Sequence, residues 1–166
     1  MDKSLKALFL AASIFTSPVL ADNFILSAQT GFEYPSPVSI SHSGSYLLVK
    51  YKEWSFSHEN FDPKTFYSNI NLTGFERNFV RSIFDANKRS ELPKWLAAIS
   101  QEFSDGLGNK PESIKKIKVG KAEILAGHDG KKNGQIFILE DPAIHMITIS
   151  GEKQYFDAFI KNIKER

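Results

Sequence analysis

Residues 114–163 read IKKIKVGKAEILAGHDGKKNGQIFILEDPAIHMITISGEKQYFDAFIKNI, and this stretch decides the fold. Ile114, Ile117 and Val119 lead through Gly120 into Ala122, Ile124 and Ala126, apolar residues set at the two-residue period of a strand. Gly127-His128-Asp129-Gly130 ends that strand, and Lys131-Lys132-Asn133-Gly134 completes a polar turn. Gln135 to Glu140 returns as a second apolar strand, so the segment reads as a β-hairpin. Asp141-Pro142 makes the next turn, since proline cannot extend a hydrogen-bonded ladder, and Ala143 to Ser150 forms another strand. Beyond Gly151 the period changes: Phe156, Phe159, Ile160 and Ile163 fall on one face of a closing helix.

Toward the N-terminus, Phe75, Phe79 and Ile83 recur every four residues, which predicts a helix from about Thr73 to Asn87. A second helix follows, with Ser90 as its cap, Pro93 early, and Leu92, Trp95, Leu96, Ile99 and Phe103 on its buried stripe; Gly106 and Gly108 stop it. Asp62-Pro63 marks a turn ahead of these helices. Leu47, Val49 and Tyr51 alternate with lysines, while Trp54 and Phe56 take the opposite parity. That change of phase predicts a bulge or bend near Glu53 in a strand ending near His58. Residues 22–44, with Pro35, Pro37 and several Ser and Gly, read mostly as an irregular lead-in, with one short strand at Phe24 to Leu26.

Strand, helices, antiparallel meander and terminal helix together predict an α+β fold, an antiparallel β-sheet with helices packed on it. The run from Lys118 to Lys164 carries Val119-Gly120 before a strand, a hairpin, a strand ending in Gly151 and an amphipathic helix from Phe156 to Ile163. In that order it resembles the PsbP/DcrB-like sandwich superfamily. The resemblance implies an accessory or adaptor module rather than a catalyst, and some relatives of that kind serve type VI secretion.

The first 21 residues have the three parts of a cleavable signal peptide. Lys3 and Lys6 supply positive charge, Ala7 to Phe15 an apolar run, and Val19-Leu20-Ala21 a small-residue cut site behind Pro18. The run is far shorter than the roughly 20 residues of a spanning helix, so cleavage after Ala21 is expected, leaving a single domain of residues 22–166. Its 145 residues suffice for a packed core, and its 19 basic and 18 acidic side chains lack the clustered excess of a nucleic-acid or polybasic membrane binder. The chain has no cysteine, which removes disulfides, thiolate metal sites, thiol nucleophiles and a lipid-accepting residue, and favours a Gram-negative periplasm over a disulfide-stapled extracellular setting.

No phosphate loop, dinucleotide fingerprint, nucleophile elbow or His-Glu-x-x-His occurs, so no cofactor or metal is expected. A dispersed pair of carboxylates would leave no local trace. The four histidines are His42, His58, His128 and His145. His58 with Asp62 and His128 is the one grouping from which a small envelope hydrolase could be assembled. His145 reads as a core-edge residue with a backbone partner, and His128-Asp129 as part of a solvated turn. A basic, glycine-flanked hairpin tip also suits entry into a partner's cleft, which nominates His128, Asp129, Lys131, Lys132 and Asn133 as partner-binding residues. The sequence therefore favours a periplasmic, non-enzymatic binding protein, and the PsbP/DcrB-like resemblance implies its concrete form, an immunity protein occupying the cleft of a type VI secretion toxin. An envelope hydrolase is the alternative.

Overall fold

The computed structural model describes residues 21–66, 70–108 and 110–166; the predicted signal peptide, Ala21 apart, lies outside them. Strands β1 (Ala21–Ile25) and β2 (Thr30–Pro35) form a small sheet with β10 (Ile163–Glu165) in the order β1-β2-β10. A seven-stranded sheet is built from β3 (Ser39–Ser43), β4 (Tyr46–Lys50), β5 (Ser55–Asn60), β6 (Lys115–Val119), β7 (Ala122–His128), β8 (Asn133–Leu139) and β9 (Ile144–Ser150). Its order is β3-β4-β5-β9-β8-β7-β6, and its pairings are antiparallel. Helices α1 (Glu76–Ile83), α2 (Ala86–Ser90) and α3 (Lys94–Gly106) carry the chain from central β5 to the far edge, and the meander β6 to β9 returns to β5. Helix α4 (Lys153–Lys161) then leads to β10. The α+β class and the C-terminal order of strands, then helix, are as the sequence predicts.

Alternation along the central strands explains the layers. Ile124, Ala126, Ile136, Ile138, Ile147 and Ile149 face Phe32 of the small sheet and Phe156, Phe159 and Ile160 of α4. Leu125, Phe137, Leu139 and Ile144 face Phe79, Val80, Ile83 and Leu96 of the helical layer. Both faces of β7 and β8 are thus buried, which is why these two strands are apolar at most positions. Phe32 fastens the small sheet, fully buried and stacked on Phe159 with ring centroids 4.0 Å apart. Burial of one such ring contributes about 2–3 kcal/mol.

Several local expectations are corrected. Residues 22–44 hold β1, β2 and β3 rather than an irregular lead-in. The phase change at Glu53 is a tight reversal between β4 and β5, closed by Tyr51 N–H to the Trp54 carbonyl at 2.8 Å. The Thr73–Asn87 helix breaks at Phe84, because the Asp85 carboxylate caps a new helix by accepting from Asn87 and Lys88 N–H. Ser90 closes α2 rather than capping α3, and Trp95 is 51% exposed. Ile163 belongs to β10, opposite Phe32, not to the closing helix.

Candidate functional site

The β7–β8 hairpin closes with His128 opposite Gly134. Between them, one oxygen of Asp129 accepts the N–H of Lys131 at 2.7 Å and of Asn133 at 3.0 Å, while the other accepts the Asn133 side-chain amide at 2.8 Å. Partial burial pushes the Asp129 pKa up, but the donors from Asn133 and Lys131 more than reverse this and hold it below the usual carboxylate range. The turn is also gripped from both sides. On one side, Gly151 N–H reaches the Lys132 carbonyl at 2.8 Å, and a Cβ at Gly134 would sit 2.4 Å from the Phe156 ring, so the ring packs directly on backbone. On the other, Gly108 approaches the backbone of Asp129 so closely that a Cβ there would lie 3.1 Å from the Asp129 Cα.

His128 is not on the surface. It is 1% exposed, packs against Phe156, accepts Gly130 N–H on Nδ1 at 2.9 Å, and faces the Gly151 carbonyl with Nε2 at 3.3 Å. An Nδ1 that accepts leaves the ring hydrogen on Nε2, so the 3.8 Å approach of Nδ1 to Asp129 is neither an ion pair nor an oriented acid–base pair. Of the five sequence-nominated residues, Lys131, Lys132 and Asn133 are exposed, Asp129 shapes the turn, and His128 is its internal support. The lysine ion pairs of the described residues involve Lys88, Lys115, Lys116, Lys153 and Lys164; neither Lys131 nor Lys132 has a carboxylate partner.

Lys132 and Asn133 line an open cleft of about 590 Å³ at this end of the sheet, completed by Glu53 from the β4–β5 turn and by Glu152, Gln154 and Tyr155 at the start of α4. The Tyr155 hydroxyl donates to Glu53, which raises the pKa of the phenol, and its ring stacks on Trp54 at 5.9 Å. Glu53 and Tyr155 escape sequence reasoning because they are 102 positions apart and carry no local motif.

A second polar cluster lies where the β1–β2 turn meets the large sheet. His58 Nε2 is 3.2 Å from His145 Nδ1, and His145 Nε2 is 3.3 Å from Glu140 Oε1. Glu140, 5% exposed, also accepts Ser27 Oγ–H at 2.7 Å and Ala28 N–H at 3.0 Å. A carboxylate only accepts, so His145 donates through Nε2; its Nδ1 then accepts from His58. Burial, then the neighbouring His145, lower the His58 pKa to about 4 against a smaller raising influence of the Leu26 carbonyl. Burial likewise lowers His145 despite Glu140. Burial raises Glu140, but donors from Ser27 and Ala28 and the His145 ring prevail and lower it. His145 thus has side-chain partners, His58 and Glu140, rather than the backbone partner expected. Ser27 gives its hydrogen to Glu140, not to an imidazole, so this is a tether for the β1–β2 turn and not an activated nucleophile.

The grouping of His58, Asp62 and His128 is not brought together. His58 pairs with Ile147, Ile147 with Ile136, and Ile136 with Ala126, which places His58 and His128 three strands apart. Three inter-strand spacings amount to about 14 Å, too far for one water or metal to bridge. Asp62 instead accepts Lys64 N–H at 2.9 Å, and His42 lies on exposed edge strand β3. Among the described residues no three His, Asp or Glu side chains converge as a metal site. Comparison with known proteins gives no match to any family model, curated protein or solved structure.

Proposed function

We propose that the chain is a periplasmic, non-enzymatic binding protein that captures an acidic segment of a protein partner at the Lys131–Lys132 turn. The observation that carries this reading is the turn itself: two exposed lysines without carboxylate partners on a backbone held by Asp129, Gly151 and the Phe156 ring. A rigid turn loses little backbone freedom on binding, and its two charges steer an acidic partner toward it. Export to the periplasm rests on the signal-peptide pattern of residues 1–21, and the adaptor role accords with the PsbP/DcrB-like resemblance. In its concrete form the protein is an immunity protein that blocks the active-site cleft of a type VI secretion toxin.

Affinity capture from periplasmic extract, comparing the wild-type protein with the Lys131→Glu/Lys132→Glu double variant, tests the reading. One partner retained by the wild type and lost by the variant, with an unchanged melting temperature, supports it. Equal retention by both proteins overturns the assigned surface. Competition between sister cells tests the immunity role: a deletion strain is expected to be sensitive and rescued by the wild-type gene only, whereas a deletion strain that competes normally removes that role.

A further inference from the structure

A second cleft, of about 470 Å³, opens where the end of α1, α2, α3 and the start of β6 meet. Ile83 and Phe84, 0% and 2% exposed, close it from beneath, and the apolar surface open to a ligand is that of Ala86 and Ile114. Two cations stand at its rim, Arg89 and Lys116. Lys116 is balanced, since its Nζ lies 2.6 Å from Asp85, whose other oxygen caps α2.

Arg89 is held differently. Its Nε donates to the buried Ser100 hydroxyl at 3.2 Å, one terminal nitrogen to the Ile83 carbonyl at 3.2 Å, and the other to the Gln101 side-chain oxygen. Each of these acceptors is neutral. Gln101 passes the polarity on to Asp105 through a 2.7 Å bond, so Asp105 helps to balance the guanidinium from behind an amide. No carboxylate of the described residues comes within ion-pair distance of Arg89. Burial disfavours its charged form, with Asp105 and Asp85 offsetting part of that effect. A guanidinium has five N–H groups, and three are engaged, so one on each terminal nitrogen remains for a ligand. The result is a fixed, partly desolvated fork beside the apolar side chains of Ala86 and Ile114, the geometry that recognises planar oxyanions.

We infer that this cleft is a binding site for a small organic anion, a short-chain carboxylate whose oxygens meet Arg89 and Lys116 while its hydrocarbon lies on Ala86 and Ile114. Polar groups at one end and apolar lining at the other give the site an orientation as well as an affinity. This inference is independent of the protein-binding surface at the β7–β8 turn, with which the cleft shares no lining residue.

The test is titration of the protein with sodium hexanoate and, in parallel, with hexanamide, followed by amide and methyl NMR. Hexanoate is expected to saturate with a dissociation constant on the order of 1 mM, given the size of the ligand. Its shifts should centre on the Arg89 Nε–H and the Ala86 and Ile114 methyls, and the neutral amide should bind at least about tenfold more weakly. Arg89→Gln should weaken hexanoate about tenfold or more, and exposed Lys116→Met several-fold with the fold intact; if Arg89→Gln does not fold, Lys116→Met decides. Equal binding of acid and amide, shifts mapping elsewhere, no saturation by 20-fold above the expected constant (about 20 mM), or unchanged affinity in the folded variants would each overturn the assignment.

Discussion

The stability of this protein should fall on mild acidification, and His58 is the residue to test. Its folded-state pKa of about 4 lies below the ordinary value of 6.5, so the unfolded chain binds a proton there more readily than the folded one. A depressed histidine pKa contributes stability that is fully present above 6.5 and is lost as the pH falls toward the folded value. Linkage over pH 7.5 to 5.0 with these two values gives a loss of about 2 kcal/mol, and solvent screening at the half-buried ring trims it to about 1–2 kcal/mol. That window ends above the range in which Glu140, lowered from its ordinary 4.5, loses its own contribution. Urea unfolding followed by the fluorescence of Trp54, which is 6% exposed, reads the change at each pH. In His58→Gln the amide still donates to His145 but no longer titrates, so the slope between pH 6.5 and 5.0 should flatten, leaving only the share of His145, which is lowered by the same burial. Parallel pH profiles for wild type and His58→Gln would refute the reasoning.

Gly134→Ala forces a methyl to within 2.4 Å of the Phe156 ring and should cost about 1–3 kcal/mol, read as a fall in melting temperature. Ser27→Ala removes one of the donors to buried Glu140 and the hydroxyl that accepts Thr30 N–H, and should cost about 1–3 kcal/mol, with faster amide exchange confined to residues 26–30. Trp95→Ser, at a position 51% exposed, should change stability by no more than about 0.5 kcal/mol by chemical unfolding.

The parts of the fold that were legible are those where one physical signal acts alone. The meander β6 to β9 is apolar on alternate and then on adjacent positions because two layers cover it, and its turns carry Gly, Asp and Pro. The β4–β5 reversal showed in the sequence only as a phase change near Glu53, because Tyr51-Lys52-Glu53-Trp54 contains no turn-forming residue. It is held by the Tyr51 N–H bond to the Trp54 carbonyl and by Tyr51 stacking on Trp54 at 4.4 Å. Strand β3, Ser39–Ser43, is exposed throughout, so burial leaves no pattern in it and pairing with β4 alone makes it a strand. Ile163 satisfies the helical period of α4 and the alternation of β10 equally well; the chain turns at Asn162 because Phe32 offers a cross-strand partner. The stripe of α3 is misread at Trp95 because its buried face runs through Leu96, Ser100 and Ser104, and small serines let α3 approach α1 closely enough for Ser82 to bond Ser100 at 2.6 Å.

The candidate sites divide along the same line. A charged hairpin tip announces itself through composition, which is why Lys131, Lys132 and Asn133 were visible in advance. Composition says nothing about which way a strand's last residue points, and His128, sharing the parity of Ala126 and Ile124, turns inward onto Phe156. The His58–His145–Glu140–Ser27 chain is invisible in sequence because its members are joined only by register: Asn60 opposite His145 brings His58 within one diagonal step of it. Arg89 is invisible for a different reason. Nothing in its neighbours' identities predicts that all three of its acceptors are neutral, and that property, which depends on how α1, α2 and α3 pack, leaves two of its donors for an anion from outside the chain.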